Sequence, residues 1–221
     1  MPPPNLVLVV PCFNEEARLD RRAFLDFAAS RPVVHLQFVD DGSNDRTPVI
    51  LDELKAAAPD AVDVIHLPAN RGKAAAVREG MLAGLRRAPD LVGFWDADLA
   101  TPLGAVDDFL AFASKRPDID IMLGSRVMLM GRDIRRHAWR HYLGRVFATG
   151  VSLALGLPVY DTQCGAKVFR ANRDIASVFA EPFHSPWIFD VELIARYMAL
   201  PALPGLPARR DRIYELAVPQ W

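Results

Sequence analysis

Leu91-Val92-Gly93-Phe94-Trp95-Asp96-Ala97-Asp98 is the stretch that decides the fold. Five residues without a charge, too few for an ordinary helix, read as a strand buried on both faces, and two carboxylates leave its end directly. Similar runs lie upstream at Leu6-Val10, Val33-Val39 and Val62-Leu67, and one lies downstream at Ile119-Gly124. Between them the apolar residues fall at helical spacing. Leu19, Ala23, Phe24, Phe27 and Ala28 share one face, and Thr47-Pro48 opens a helix carrying Val49, Ile50, Leu51 and Leu54. Lys73-Arg87 carries Val77, Met81 and Leu85, and Leu103-Ser114 forms another. Unbroken strands alternating with amphipathic helices predict an α/β fold: a Rossmann-like, mostly parallel sheet with helices on both faces.

Such sheets take their ligands at the carboxyl ends of the strands. Five consecutive ends carry polar groups: Cys12-Phe13-Asn14-Glu15, Asp40-Asp41-Gly42-Ser43, Asn70-Arg71-Gly72-Lys73, Asp96-Ala97-Asp98 and Ser125-Arg126. Polarity in loops is ordinary for any one of them; the set on one edge points to a site.

The chain has 221 residues, 26 Lys or Arg against 27 Asp or Glu, and 51% apolar types. That suffices for a full core in one domain and excludes disorder. The formal charge of −1 argues against a general nucleic-acid binder. Two cysteines, Cys12 and Cys164, make neither a disulfide framework nor a zinc site and suit a reducing, cytoplasmic setting. Met1-Pro2-Pro3-Pro4-Asn5 has no basic leader, and no run of about 18 uncharged apolar residues is present, so the chain reads as soluble or peripheral on a membrane.

The alternation breaks in the second half. Gly131 to Arg145 holds Arg132, Arg135, Arg136, Arg140 and Arg145 with His137 and His141, against one acid, and leads into the apolar Val146-Leu157. It reads either as a membrane-surface helix or as a solvated face beside a core helix. Trp139 and Tyr142 are correspondingly interfacial anchors or core. Lys167-Arg170 is a short strand, Phe189-Leu200 is helix-like and Arg212-Val218 is a last strand. The sequence reads as one domain over 1–221, a binding half at 1–126 and an elaborated half at 127–221.

Asp96 and Asp98 can hold a hard divalent cation, which prefers oxygen ligands and completes its shell from substrate phosphates. Asp118-Ile119-Asp120 repeats the spacing but opens a strand instead of leaving one, and reads as solvated surface. The Asp40-Asp41 carboxylates suit the N3-H of a pyrimidine or a ribose hydroxyl, or simply a solvated Asp-Gly turn. Asn70-Arg71-Gly72-Lys73 combines a helix N-terminus with two cations, an anion contact. Neither a Walker loop nor Gly-x-Gly-x-x-Gly is present.

Pro11-Cys12-Phe13-Asn14-Glu15, Asp40-Asp41-Gly42-Ser43, Asn70-Arg71-Gly72-Lys73, Asp96-Ala97-Asp98 and Gly124-Ser125-Arg126, in that order, resemble the family 2 glycosyltransferases. Asp161-Thr162-Gln163-Cys164-Gly165-Ala166-Lys167 and Phe189-Asp190-Val191-Glu192-Leu193 resemble its polyprenyl-phosphate branch, the dolichyl-phosphate β-glucosyltransferases and then the dolichyl-phosphate mannose synthases. The resemblance implies a GT-A-like fold, with 1–126 binding the nucleotide sugar and 127–221 on the acceptor side. It implies Pro11, Phe13, Glu15, Val39 and Asp41 around the nucleoside, Gly72 and Lys73 closing over it, and Ala97 between the two ligands. Asp96 and Asp98 would hold Mg²⁺ or Mn²⁺ on the diphosphate, and Arg126 would face the phosphates or sugar. Asp161 either orients acceptor or sugar, or forms an Asx turn with Thr162. Lys167 and Arg170 either offset acceptor charge or are surface cations. Phe13 replaces the family's Tyr, and Ala100 stands where some mannose synthases have a Gln ligand.

The implied reaction is inverting transfer of a hexose, glucose from UDP-glucose first, to a polyprenyl phosphate on a peripheral membrane surface. The alternatives are another donor, a non-lipid acceptor, or a catalytically silent nucleotide-sugar-binding homologue. The family's further segment with an Arg and a Gly-Ser-Lys, which follows a strand like Ile213-Tyr214-Glu215-Leu216, has no counterpart before Trp221.

Overall fold

The computed structural model describes residues 3–125, 161–202 and 204–218. Its elements, in chain order, begin with β1 (Leu6–Cys12), α1 (Arg21–Ser30), β2 (Val34–Asp40), α2 (Thr47–Ala57), β3 (Val62–His66), α3 (Lys73–Leu85) and β4 (Leu91–Trp95). A 3-10 turn (Leu103–Ala105) then leads into α4 (Val106–Lys115), followed by β5 (Ile121–Ser125) and β6 (Ala166–Arg170). The chain continues through α5 (Arg173–Ala180), α6 (Phe189–Ala199), a second 3-10 turn (Arg209–Arg212) and β7 (Ile213–Ala217).

The described strands form one sheet in the order β3-β2-β1-β4-β6-β5-β7. All neighbours are parallel except β6, which runs antiparallel between β4 and β5. Because β6 reverses and β5 reverses again, β5 ends on the same edge as β1 to β4. The edge on which the polar loops gather is therefore continuous past the reversed strand.

Strand alternation divides the core into two layers. Leu6, Leu8 and Val10 of β1, with Leu91 and Trp95 of β4, face α1, α2 and α4, where Phe24, Leu51 and Phe109 are buried. Val7 and Val9, with Val92 and Phe94, face α3, α5 and α6, where Val77, Phe179 and Phe189 are buried. Helix ends are closed by side chains where the sequence provides them: Asp20 accepts from the Ala23 N–H and Asn172 from the Ile175 N–H. Among the described residues no helix is long and apolar enough to cross a membrane. The basic stretch, the apolar 146–157 segment and Arg126 lie outside the described residues.

The structure differs from the sequence reading at Asp120. Instead of being solvated, it is fully buried, accepting from Arg212 Nη2 at 2.9 Å, Asn172 Nδ2 at 3.0 Å and the Tyr197 hydroxyl. Burial and this carboxylate push the Tyr197 phenol upward. Asp118 is half-exposed on Arg116, as a surface residue would be. Helix α5, which the sequence reading leaves out, carries its apolar residues on one short face.

Candidate functional site

The loops after β1 and β2 are tied together by side-chain caps. Asn14 enters the left-handed region at φ 52°, its N–H donates to Ser43 Oγ at 3.0 Å, and its Oδ1 accepts from the Asn44 N–H at 2.9 Å. The Glu15 N–H donates to Thr47 Oγ1 at 2.8 Å. The β2 loop is tied in turn to the one after β3. Asp41, 2% exposed, accepts from the Arg71 N–H at 2.9 Å and the Gly72 N–H at 2.8 Å, one on each oxygen. Gly42, at φ 68°, lies so close to the Ala69-Asn70 backbone that a Cβ would meet it at 2.5 Å. Only glycine meets both requirements.

The next residue along carries the connection to β4. Gly72 caps α3, and the ammonium of Lys73 lies 2.5 Å from Asp96 Oδ1. The Asp96 N–H donates to the Gly165 carbonyl at 3.0 Å, and a Cβ on Gly165 would stand 1.9 Å from Asp96 Oδ2. The carboxylate thus rests on the bare Cα that precedes β6. Asp98, exposed, turns its Oδ1 to the Ala100 N–H at 3.0 Å, helped by Leu99 at φ 52°. Asp161, nearly buried, donates its N–H to Glu215 Oε1 of β7 at 2.9 Å.

Electrostatics join the β1 and β4 loops. Burial pushes the Glu15 carboxyl upward against the neighbouring Arg18, and Asp98 and Asp96 push the same way. Three carboxylates from two loops are therefore close enough for two of them to act on the third. Asp96 and Asp98 offer hard oxygen donors but form no group of three candidate ligands, and no such group occurs among the described residues. A two-carboxylate set of this kind fits Mg²⁺ or Mn²⁺ that draws its remaining ligands from substrate phosphates.

The structure brings together Pro11 at the end of β1, Lys73 at the start of α3, and Phe13, Glu15, Asp41, Gly72, Asp96 and Asp98 on the loops of one sheet edge, with Asp161 on the segment that precedes β6. Phe13 is 37% exposed, a ring presented to solvent. Val39 and Ala97 are buried in the two core layers, so their side chains support the loops from beneath. A cavity of about 250 Å³ between α3 and the segment around Phe183 borders on Arg71 and Arg78, and none of the aspartates lines it.

Two expected cations are neither free for an acceptor nor on the surface. Lys167 is fully buried, bonded to the Cys164 carbonyl and paired with Asp190. Arg170 sits at the far end of the reversed β6 and donates to the carbonyls of Ala113, Ile119 and Arg116. Reversal of the strand accounts for Arg170, which pairs with Leu91 at the far end and which a parallel strand would carry toward the site; Lys167 pairs with Phe94 near the site edge, but its side chain turns into the layer beneath the sheet, onto Asp190.

Sequence reasoning misses two features. Gly165 as the seat of Asp96 has no local signal, because 69 positions separate them. His66 joins Asp40 at 3.2 Å to Asp52 at 3.1 Å. Its placement just after an apolar run and beside the Asp40-Asp41 loop is the only hint.

A mostly parallel sheet whose strand ends gather a paired-carboxylate loop, a cation and a helix N-terminus is an α/β architecture of the GT-A kind. The chain belongs to glycosyl transferase family 2, whose pattern it matches over residues 7–175. It is 36% identical over 204 residues to the dolichyl-phosphate beta-glucosyltransferase of Drosophila melanogaster, covering 86% of this chain and 61% of that protein. It is 32% identical over 177 residues to the polyprenol monophosphomannose synthase of Mycolicibacterium smegmatis, covering 76% and 63%. The chain spans about three fifths of the length of these curated relatives. The fold matches glucosyl-3-phosphoglycerate synthase from Mycobacterium tuberculosis, solved in complex with Mn²⁺, UDP and glucosyl-3-phosphoglycerate, with a TM-score of 0.63 at 20% identity over 97% of this chain and 71% of that one.

Proposed function

We propose that the chain is an inverting hexosyltransferase that moves glucose from UDP-glucose to a polyprenyl phosphate, with Mg²⁺ or Mn²⁺ held by Asp96 and Asp98. The observation that carries this reading is the unbroken series of contacts from Asp41 through Arg71 and Gly72 to Lys73 and Asp96. It joins the β2, β3 and β4 ends at one edge of the sheet, where a nucleoside and a diphosphate would lie side by side.

Each residue then has a defined task. Phe13 offers a ring face for base stacking. Asp41 holds the Arg71-Gly72 backbone, which aims Lys73 at the phosphates. Bound to Asp96 and Asp98, the cation would stabilise negative charge on the departing diphosphate. Asp161 orients sugar or acceptor. The acceptor phosphate is already ionised near neutral pH, so a strong general base is unnecessary; alignment and charge stabilisation supply the rate. The names of the relatives support the lipid-phosphate acceptor, and work at a membrane surface follows from it; its cytoplasmic face is part of the same proposal.

The test is a panel of nucleotide sugars offered to a short polyprenyl phosphate and, separately, to phosphoglyceric acid, read by product mass. A glucosyl lipid phosphate from UDP-glucose is the expected product. Transfer only to phosphoglyceric acid overturns the lipid acceptor, transfer only from another donor overturns UDP-glucose, and UDP binding without any product favours a silent homologue.

A further inference from the structure

Lys167 is a fully buried ammonium with no part in the reaction described above. It lies in the layer between the sheet and α6, 5.2 Å from the centroid of the Phe94 ring and on the same face as Phe169 and Phe189. Burying such a charge costs several kcal/mol, and an apolar pair of similar size is often as stable or more so. Stability alone is therefore a poor reason for the pair.

The ammonium's bonds suggest another. Its directed hydrogen bond goes to the Cys164 carbonyl, at 2.5 Å. Asp190 Oδ1, 2.7 Å away, balances its charge. Fixing the Cys164 carbonyl fixes the peptide plane between Cys164 and Gly165. Gly165 in turn accepts the Asp96 N–H at 3.0 Å and presents the bare Cα on which the Asp96 carboxylate rests. The Cys164 Sγ, 3.8 Å from Thr101 Oγ1, pins the same turn to the far end of the Asp96 loop.

We infer that Lys167, neutralised by Asp190, is a positioning residue: it holds the Cys164-Gly165 turn that seats the Asp96 carboxylate for the donor's cation. The inference rests on the metal-binding reading of Asp96, and it extends that reading to residues that never touch the ligand. Positions within about 0.5 Å are what a ligand set requires, and buried hydrogen bonds supply them.

The test removes both charges together, so that no lone buried ion is left behind. In Lys167→Met/Asp190→Asn, hydrogen exchange over 96–100 should rise at least tenfold while β1 stays as protected as in the wild type. The gain in UDP affinity on adding Mn²⁺ should fall at least tenfold. If the first double variant does not fold, Lys167→Leu/Asp190→Leu, suited to a layer of phenylalanines, is read in the same way. A folded double variant with wild-type exchange over 96–100 overturns the inference. A wild-type chain whose UDP affinity ignores Mn²⁺ refutes the metal reading instead, and the exchange comparison still decides whether Lys167 positions the loop.

Discussion

Replacing Gly165 with alanine adds one methyl group where Asp96 already stands: the new Cβ would lie 1.9 Å from Oδ2 and 2.1 Å from Cγ. Ordinary contact begins near 3.4 Å, so the carboxylate has to retreat by roughly 1.5 Å. Gly165 is not among the residues at positive φ, and alanine therefore brings no dihedral strain. The obstacle is the end of a side chain that is 32% exposed and can swing aside, so the fold yields little. The cost falls on the site: a displacement of about 1 Å can reduce catalysis by about 100-fold. The assay is calorimetric titration with UDP, in Mn²⁺ and in chelator, beside a melting curve. The variant should melt near the wild type and bind UDP in chelator as the wild type does, while its gain on adding Mn²⁺ falls at least tenfold. A folded variant that keeps the full gain refutes the idea that residue 165 seats Asp96. Gly42→Ala makes the instructive contrast, because there the obstacle is backbone and φ is 68°, so the loops themselves must give.

Asp41→Asn leaves at most one oxygen for the Arg71 and Gly72 amides, a loss of about 1.5–3 kcal/mol for a charged acceptor, and UDP affinity measured by calorimetry should fall about tenfold or more; unchanged affinity would remove Asp41 from the site. For His66, burial opposes the charged ring, but the hydrogen bonds to Asp52 and Asp40 outweigh it and raise its pKa above the ordinary 6.5. A raised folded value means this contribution to stability is complete below 6.5 and is lost as pH climbs through the raised value. The melting temperature should therefore decline across that window and His66→Asn should flatten the decline; an unaltered slope would assign it to other groups. Asp120→Ala strands Arg212 in the core and should cost about 3–5 kcal/mol in denaturant melts. UDP binding should survive below the transition, since Asp120 precedes β5 at the edge opposite the site.

Much of the fold was legible because parallel strands buried on both faces must be apolar throughout. Leu91-Trp95 is β4 with the same bounds, and the other runs differ by a residue or two at their ends. The reversal of β6 left no such trace: Ala166–Arg170 carries Lys167 and Arg170, whose ammonium and guanidinium are satisfied by carbonyls that only the folded chain supplies. Asp120 misled for the same reason, since its partners Arg212, Tyr197 and Asn172 come from distant elements. The strand-end aspartates were legible because their role follows from position in a sheet of this kind. What seats them was not, because a glycine's usefulness to Asp96 is a matter of contact.

The central claim, that Asp96 and Asp98 hold a divalent cation on the donor's diphosphate, is tested most directly by UDP calorimetry on the wild type and Asp98→Ala, each with Mn²⁺ and with chelator. Wild-type affinity should drop at least tenfold in chelator, and Asp98→Ala should bind weakly and equally in both. Equal wild-type affinity with and without the ion would contradict the account.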